Sequence, residues 1–451
     1  MVTNIETPLS EFASGLGLDD VRPSAVNQAK TLIVDAVGCA LAGDLSEETP
    51  MVRRAAASTF GAGKSTVIGS HERLSSAGAT LINSYLITAM TVCDVYRPAH
   101  CHMTPLVVAP TMTASEETGA SGHDFLVAAI AGMELMARIA LGLDYPAFRS
   151  RGWHSPGVIG PFGAAAAVGR IKGFDPPTML RAFGLAGTQS AGSYMSWGTP
   201  AVKFHQARGA VSGLLAAQMA EQGFVGGSRP LTDEDGGIYN THSNGGQPDL
   251  ALDDLGSRWE MEQIAVRLWP GASPVQTMLT ALFDLIENEG VDARQTESVE
   301  VGISSEDFKT HGGFSRPVGT FEALLSYAYL ASLVLHDQRL WFDGVRSPRI
   351  NDDDLLRYGE QKVRLVEVPD LAVNGCELTL RLSDGRDLHR RVEKAKGTAE
   401  NPATRSDVDK KFLLAAEPRL GEDAAAELLA ILWDIERQDH LGILWSLLSS
   451  Q

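Results

Sequence analysis

Four histidines of this chain stand among neighbours that suit chemistry. His100 and His102 lie in RPAHCHMTP, His154 in RGWHSPG and His205 in KFHQARG. Each falls where a loop containing Pro or Gly meets a predicted helix, and such junctions hold functional side chains on a rigid scaffold. Imidazole is the usual general acid or base near neutral pH. A single histidine of this kind serves equally as a hydrogen-bonded core residue, and that reading holds by default for the others. His100 and His102 also have the form of a chelating pair, but a third ligand in suitable context is missing. Lys203, in GTPAVKFHQARG, is framed by apolar Val202 and Phe204. It either runs its stem over an apolar surface or presents a charge to a pocket. Arg267, in AVRLWPGASP, can grip a carboxylate bidentately or form a surface ion pair. Tyr329, in LLSYAYLAS, offers a hydroxyl on a helix that otherwise reads as core.

Other chemistries find less support. The cysteines Cys39, Cys93, Cys101 and Cys376 have no zinc or redox spacing. An iron–sulfur cluster held by three of them stays open at this point, while a reduced, cytoplasmic setting fits better than a disulfide framework. The string GPFGAAAAVG lacks the Lys-Ser/Thr of a P-loop and any preceding dinucleotide-binding strand. The first residues, MVTNIETPLSEFASG, are not a signal peptide.

The elements that must position these residues change character along the chain. Residues 1 to about 266 read as mostly helical. Pro23–Ser24 opens a helix with Ser24 as N-cap, and Gly43 ends it. Residues 123–143 form another, with Glu134 and Arg138 one turn apart. The small residues Gly163–Gly169 predict a close-packed central helix. Two uncharged runs, Leu74–Cys93 and Ala182–Val202, reach the ~20 residues of a membrane span. Their Ser, Thr, Asn and Gln content makes them buried helices of a soluble protein instead. From 267 to 394 the pattern is α+β: strands at 299–304, 363–368, 377–382 and 388–392, a tight Asp384-Gly385 turn, and helices at 321–335 and 353–358. Residues 395–451 return to helix through the connector 397–407. The fold class is mainly α with an inserted α+β domain.

Composition narrows the partners. The chain has 451 residues, 44% hydrophobic and 21% charged, enough for a large core. Lys+Arg total 38 against 56 Asp+Glu, a net charge of −18. With no basic patch, nucleic acid and anionic membrane are excluded as partners. An anionic small molecule is not, because a pocket can be basic inside an acidic shell.

Taken together, HSPGVIGPFGAAAAVGRIKGFD, the Lys203 segment and SYAYLASLVLHD resemble the MmgE/PrpD family, with similarity from about residue 5 to 410. The resemblance implies a large helical domain with a lid-like α+β domain inserted before the C-terminal helices, homodimers, an active site between the domains, and no metal or organic cofactor. It implies dehydration, decarboxylation or epimerisation of small polycarboxylates. His102 matches the histidine of an HPS-like string, and His154 a histidine ahead of the small-residue helix. Lys203 and His205 match the Lys and His of a TKPLH-like string. Arg267 stands where the family usually has Lys, and Tyr329 matches the Tyr of an AKFSxxY string. An acidic D-F-D-D-T stretch is replaced by Val92-Cys93-Asp94-Val95-Tyr96 and Arg97, and GASPVQ lacks the family's Cys and His. These departures count against methylcitrate and cis-aconitate as substrates.

The roles expected on that basis are general acid and base for His102 and His154, charge stabilisation by Lys203, a hydrogen bond or proton from Tyr329, and orientation of a histidine by Asp94. Arg267, Arg97, His100, His205 and Tyr96 are expected to bind a small anionic polycarboxylate. A hydro-lyase comes first in this reading, then an epimerase or a decarboxylase, then an inactive polycarboxylate-binding protein.

Overall fold

The computed structural model describes residues 4–449. The chain divides into two compact units, Met1–Ala265 with Arg405–Gln451, and Val266–Thr404.

The first unit is helical. Its centre is the Ser155–Ile171 helix, buried at every position from Ser155 to Gly169. The helix is built of Gly, Ala and Pro so that its neighbours can approach closely. A side chain at Gly213, on the Ala201–Glu221 helix, would run into Ala164 and the Pro161 carbonyl. One at Gly132, on the Gly122–Leu141 helix, would meet the Gly163 carbonyl. Pro161 has a further effect. It lacks an N–H, so the Gly157 carbonyl one turn back loses its helical partner. That carbonyl instead accepts from Ala191 N at 3.1 Å and from Arg208 Nη2 at 2.8 Å. The proline thereby docks the segment after residue 188 and the Ala201–Glu221 helix.

Buried charge ties distant parts of this unit together. Glu134 and Arg138 are both fully buried and paired one turn apart. The guanidinium also donates to the carbonyls of Ala251, Asp253, Asp254 and Arg258. The Glu134 carboxylate accepts from Glu260 N and Met261 N. Every polar atom of the pair is thus occupied, which is the condition for tolerating it in a core. From the returning Arg405–Leu420 helix, Lys411 pairs with buried Asp35 and donates to the Val92 carbonyl at 2.7 Å.

Three expectations change in detail. The helix at Pro23–Ala42 has Arg22, not Ser24, at its N-cap, with Pro23 in the first turn where its missing N–H costs nothing. The run Leu74–Cys93 contains one buried helix, Ser76–Ala89, capped by Ser75. The run Ala182–Val202 is not continuous helix: the Pro176–Gly187 helix ends, a loop with a 3-10 turn at Tyr194–Ser196 follows, and the next helix starts at Ala201. Gly198, at φ 87°, and Pro200 interrupt it. Among the described residues no helix is long and apolar enough to cross a membrane.

The second unit carries a four-stranded mixed sheet. Thr296–Ile303 pairs in parallel with Val363–Glu367 and antiparallel with Cys376–Leu382, which pairs antiparallel with Asp387–Val392. Alternate residues Cys376, Leu378, Leu380 and Leu382 are buried, the period of a strand with one face in a core. Gly385, at φ 87°, makes the hairpin turn. The helix expected at 321–335 is broken in two, Thr320–Ala323 and Tyr327–Asp337, because Ser326 caps the second piece by accepting from Tyr329 N at 3.0 Å.

Candidate active site

The residues 92–104 form the first wall of the candidate site. Val95–Tyr96 pairs antiparallel with Ile264–Ala265. Tyr96 is fully buried and its hydroxyl donates to Glu260 at 2.7 Å. The Asp94 carboxylate accepts from Met103 N at 2.7 Å, from Thr104 N at 3.1 Å and from the Thr104 hydroxyl. It thereby caps the Thr104–Thr118 helix from ten residues upstream, where negative charge suits the helix N-terminus. Burial outweighs those bonds and pushes the carboxyl up to about 6. The backbone carbonyl of Asp94 meets His102 Nδ1 at 2.6 Å. A carbonyl only accepts, so neutral His102 carries its proton on Nδ1 and Nε2 is the basic nitrogen.

His154 sits at the N-cap of the small-residue helix, its N–H donating to the Gly192 carbonyl at 2.9 Å. The next residue, Ser155, donates its hydroxyl to the Ala99 carbonyl at 2.6 Å and ties the helix start to the His102 loop. His154 is only 7% exposed. Its Nδ1 lies 2.9 Å from Nδ1 of His205 on the Ala201–Glu221 helix, and its ring is edge-on to Tyr194. Burial first, then the neighbouring His205, His102 and Arg149, hold its pKa down at about 3. His205 is half-buried and is also lowered, by burial and then by Arg208.

Positive charge accompanies these rings. Lys203 donates to the Ala89 carbonyl at the end of the Ser76–Ala89 helix, where a cation is favoured. Arg208 bridges the carbonyls of Gln189, Gly157 and Ala191. The Arg149 guanidinium stacks on Tyr194, 3.2 Å from the ring centre.

The structure therefore brings His102, His154 and His205 into one electrostatic neighbourhood within the helical unit. Other expected members are placed differently. Tyr96 anchors the loop through Glu260 and presents no hydroxyl to a ligand. The Asp94 carboxylate serves the helix cap, and only its backbone carbonyl orients a histidine. His100 is exposed, held at φ 43°, with its ring stacked on Tyr145. Arg97 is half-buried at the start of a 3-10 turn.

Arg267 and Tyr329 belong to the second unit. Arg267 is buried and donates to the Gly271 carbonyl at 3.3 Å. The Tyr329 hydroxyl, on a fully buried ring, donates to the Gly344 carbonyl at 2.6 Å. Burial raises its pKa above the ordinary tyrosine value.

Among the described residues no group of three or more His, Cys, Asp or Glu side chains is arranged to hold a metal. All four cysteines are buried, and the three-cysteine cluster left open by the sequence does not form among them. Arg149, Ser155, Tyr194 and Arg208 were not singled out in the sequence. Arg208 had a signal: it lies three residues after His205, on the same helical face. The others depend on contacts between elements far apart in the chain.

The chain is also similar to known proteins. A model of the MmgE/PrpD N-terminal domain matches residues 7–251, and one of the MmgE/PrpD C-terminal domain matches residues 269–437. The chain is 26% identical over 479 residues to cis-aconitate decarboxylase of Aspergillus terreus, covering 99% of this chain and 96% of the relative. It is 25% identical to a cis-aconitate decarboxylase-like protein of Aspergillus oryzae, with 99% and 98% coverage. It is 23% identical to human cis-aconitate decarboxylase, with 99% and 95% coverage. With its two domain models matching in order over most of its length, this chain belongs to the MmgE/PrpD family.

Proposed function

We propose that this protein is a cofactor-independent carboxylate lyase that acts on a small di- or tricarboxylate by histidine-mediated proton transfer next to a carboxylate. The observation that carries the reading is the group formed by His102, His154 and His205, with Arg149 and Arg208 beside it and Lys203 on the helix that carries His205. Losing CO2, or the proton whose removal precedes loss of water, leaves an electron pair on carbon next to a carboxylate. Positive groups must stabilise that charge, and a ring nitrogen must deliver or remove a proton. His102, with Nε2 as its basic nitrogen, and His154, held neutral by burial, supply the proton-transfer groups. Lys203, on the helix that carries His205, supplies a compact cation.

Decarboxylation is the first reaction to test, ahead of the dehydration that the sequence placed first, because the relatives above carry that activity in their names. Purified protein is incubated with cis-aconitate, citrate and other small polycarboxylates, and the products are followed by proton NMR. Consumption of one acid with release of CO2 or water, lost in His154→Gln with the fold retained, supports the reading. Equal turnover in His154→Gln contradicts it. Exchange of a C–H proton for solvent deuterium without loss of CO2 or water indicates an epimerase instead.

A further inference from the structure

The contact between His154 Nδ1 and His205 Nδ1, 2.9 Å long, constrains both rings. Two facing nitrogens at that distance hold one proton between them. Two protons would place N–H against N–H, and none would place lone pair against lone pair. If Nε2 of His154 is to accept a proton, Nδ1 of His154 must carry the shared one, and His205 must be the tautomer with its proton on Nε2.

Protonating His154 alone puts a full charge on a ring that is 7% exposed. The charged and titratable groups facing the pair are His102, Arg149 and Arg208, and none of them offers negative charge. His205, half-buried and one hydrogen bond away, is the less costly place for the charge.

We propose that His205 is a positioning residue that fixes the tautomer of His154 and takes over, through the shared Nδ1 proton, the charge His154 would otherwise hold. The step balances. A proton leaves the substrate carbon for His154 Nε2, the Nδ1 proton of His154 passes to His205 Nδ1, and the positive charge ends on His205. Running the steps backwards delivers a proton to carbon. The inference rests on the lyase reading above for its role in turnover, but not for the tautomers themselves.

The test uses the full-length protein with nitrogen-15 histidine, followed by long-range proton–nitrogen NMR on acidification from about pH 8.5 to 5. His154→Asn and His205→Asn assign the signals. Asn places an amide where Nδ1 stood, so a hydrogen bond survives but no proton can be accepted. His205 is expected to gain a second ring proton, on Nδ1, while His154 stays neutral and its single proton moves from Nδ1 to Nε2, and His154 stays neutral throughout in His205→Asn. Charging of His154 with His205 neutral, or two neutral rings that both carry their proton on Nε2 at about pH 8.5, overturns the proposal. In turnover of the acid found above, His205→Asn is expected to lose about 10- to 100-fold in kcat with an altered pH profile. Unchanged kcat and pH profile overturn the relay alone, whereas turnover surviving His154→Gln overturns the lyase reading beneath it.

Discussion

Tyr96 and Lys203, both expected at the site, each have a partner within the protein. Tyr96 was expected to bind substrate, yet its buried hydroxyl completes the Glu260 carboxylate. Tyr96→Phe leaves a buried acceptor short of one donor, and the expected cost is about 1–3 kcal/mol of stability. Urea unfolding measures that loss, while turnover per folded molecule stays at the wild-type level. Lys203 donates to the Ala89 carbonyl, and the proposed function asks it for a second role beside the substrate. Removing its charge in Lys203→Met is expected to lower kcat/KM by about 10²-fold, the range for losing one preorganised electrostatic contact. A variant as active as wild type removes Lys203 from the site. Neither partner was legible in residue type: a Tyr in a loop and a Lys in an apolar frame allow both structural and functional uses.

At the scale of elements, the small-residue helix was the most legible feature, because GAAAAVG leaves little else for a helix to do than let neighbours in. Its consequence was not legible. Pro161 frees the Gly157 carbonyl, which then binds Arg208 and the loop leading to His205. Gly213→Ala pushes a methyl into Ala164 and the Pro161 carbonyl. The expected loss is about 1–3 kcal/mol, read by thermal unfolding. Activity should fall as well, because the displaced helix carries both Lys203 and His205. The expected single helix at 321–335 fails for a local reason, since Ser326 offers its hydroxyl as a cap and starts a new helix.

Acid stability tests the same packing. His154 is lowered from 6.5 to about 3 in the fold, so the unfolded chain binds the extra proton in that window. Its contribution to stability is complete above 6.5 and is lost as the pH falls toward 3. Asp94, raised from 3.8 to about 6, works in the opposite direction, adding stability as the pH falls from about 6 to 3.8. Unfolding free energies measured between pH 7 and 5 should therefore decline less in His154→Asn and more steeply in Asp94→Asn. Parallel slopes for all three proteins contradict the burial of these groups as described.

For the whole molecule, the net charge of −18 excludes far less than it first suggests. Fixed cations at Arg149 and Arg208 stand beside the histidines in the helical unit of an otherwise acidic chain, and Lys203 lies on the helix that carries His205. An acidic surface opposes the approach of a polyanion, and only local focusing at such a cluster offsets it. The order of helical, mixed and helical segments was readable from hydrophobic period alone, since periods of 3.6 and 2 are distinct. The histidine group was readable as a set of candidates but not as a geometry, because His102, His154 and His205 are separated by about fifty residues each and meet only through the close approach of helices. The most direct measurement is proton NMR in deuterated water of cis-aconitate and related polycarboxylates, with wild-type protein and His154→Gln side by side. The expected result is product formed by the wild type and lost in the variant, with deuterium at a carbon next to a carboxylate where CO2 is the group released. Product formed at the same rate by both proteins, or none by either from any acid in the panel, contradicts a histidine-mediated carboxylate lyase.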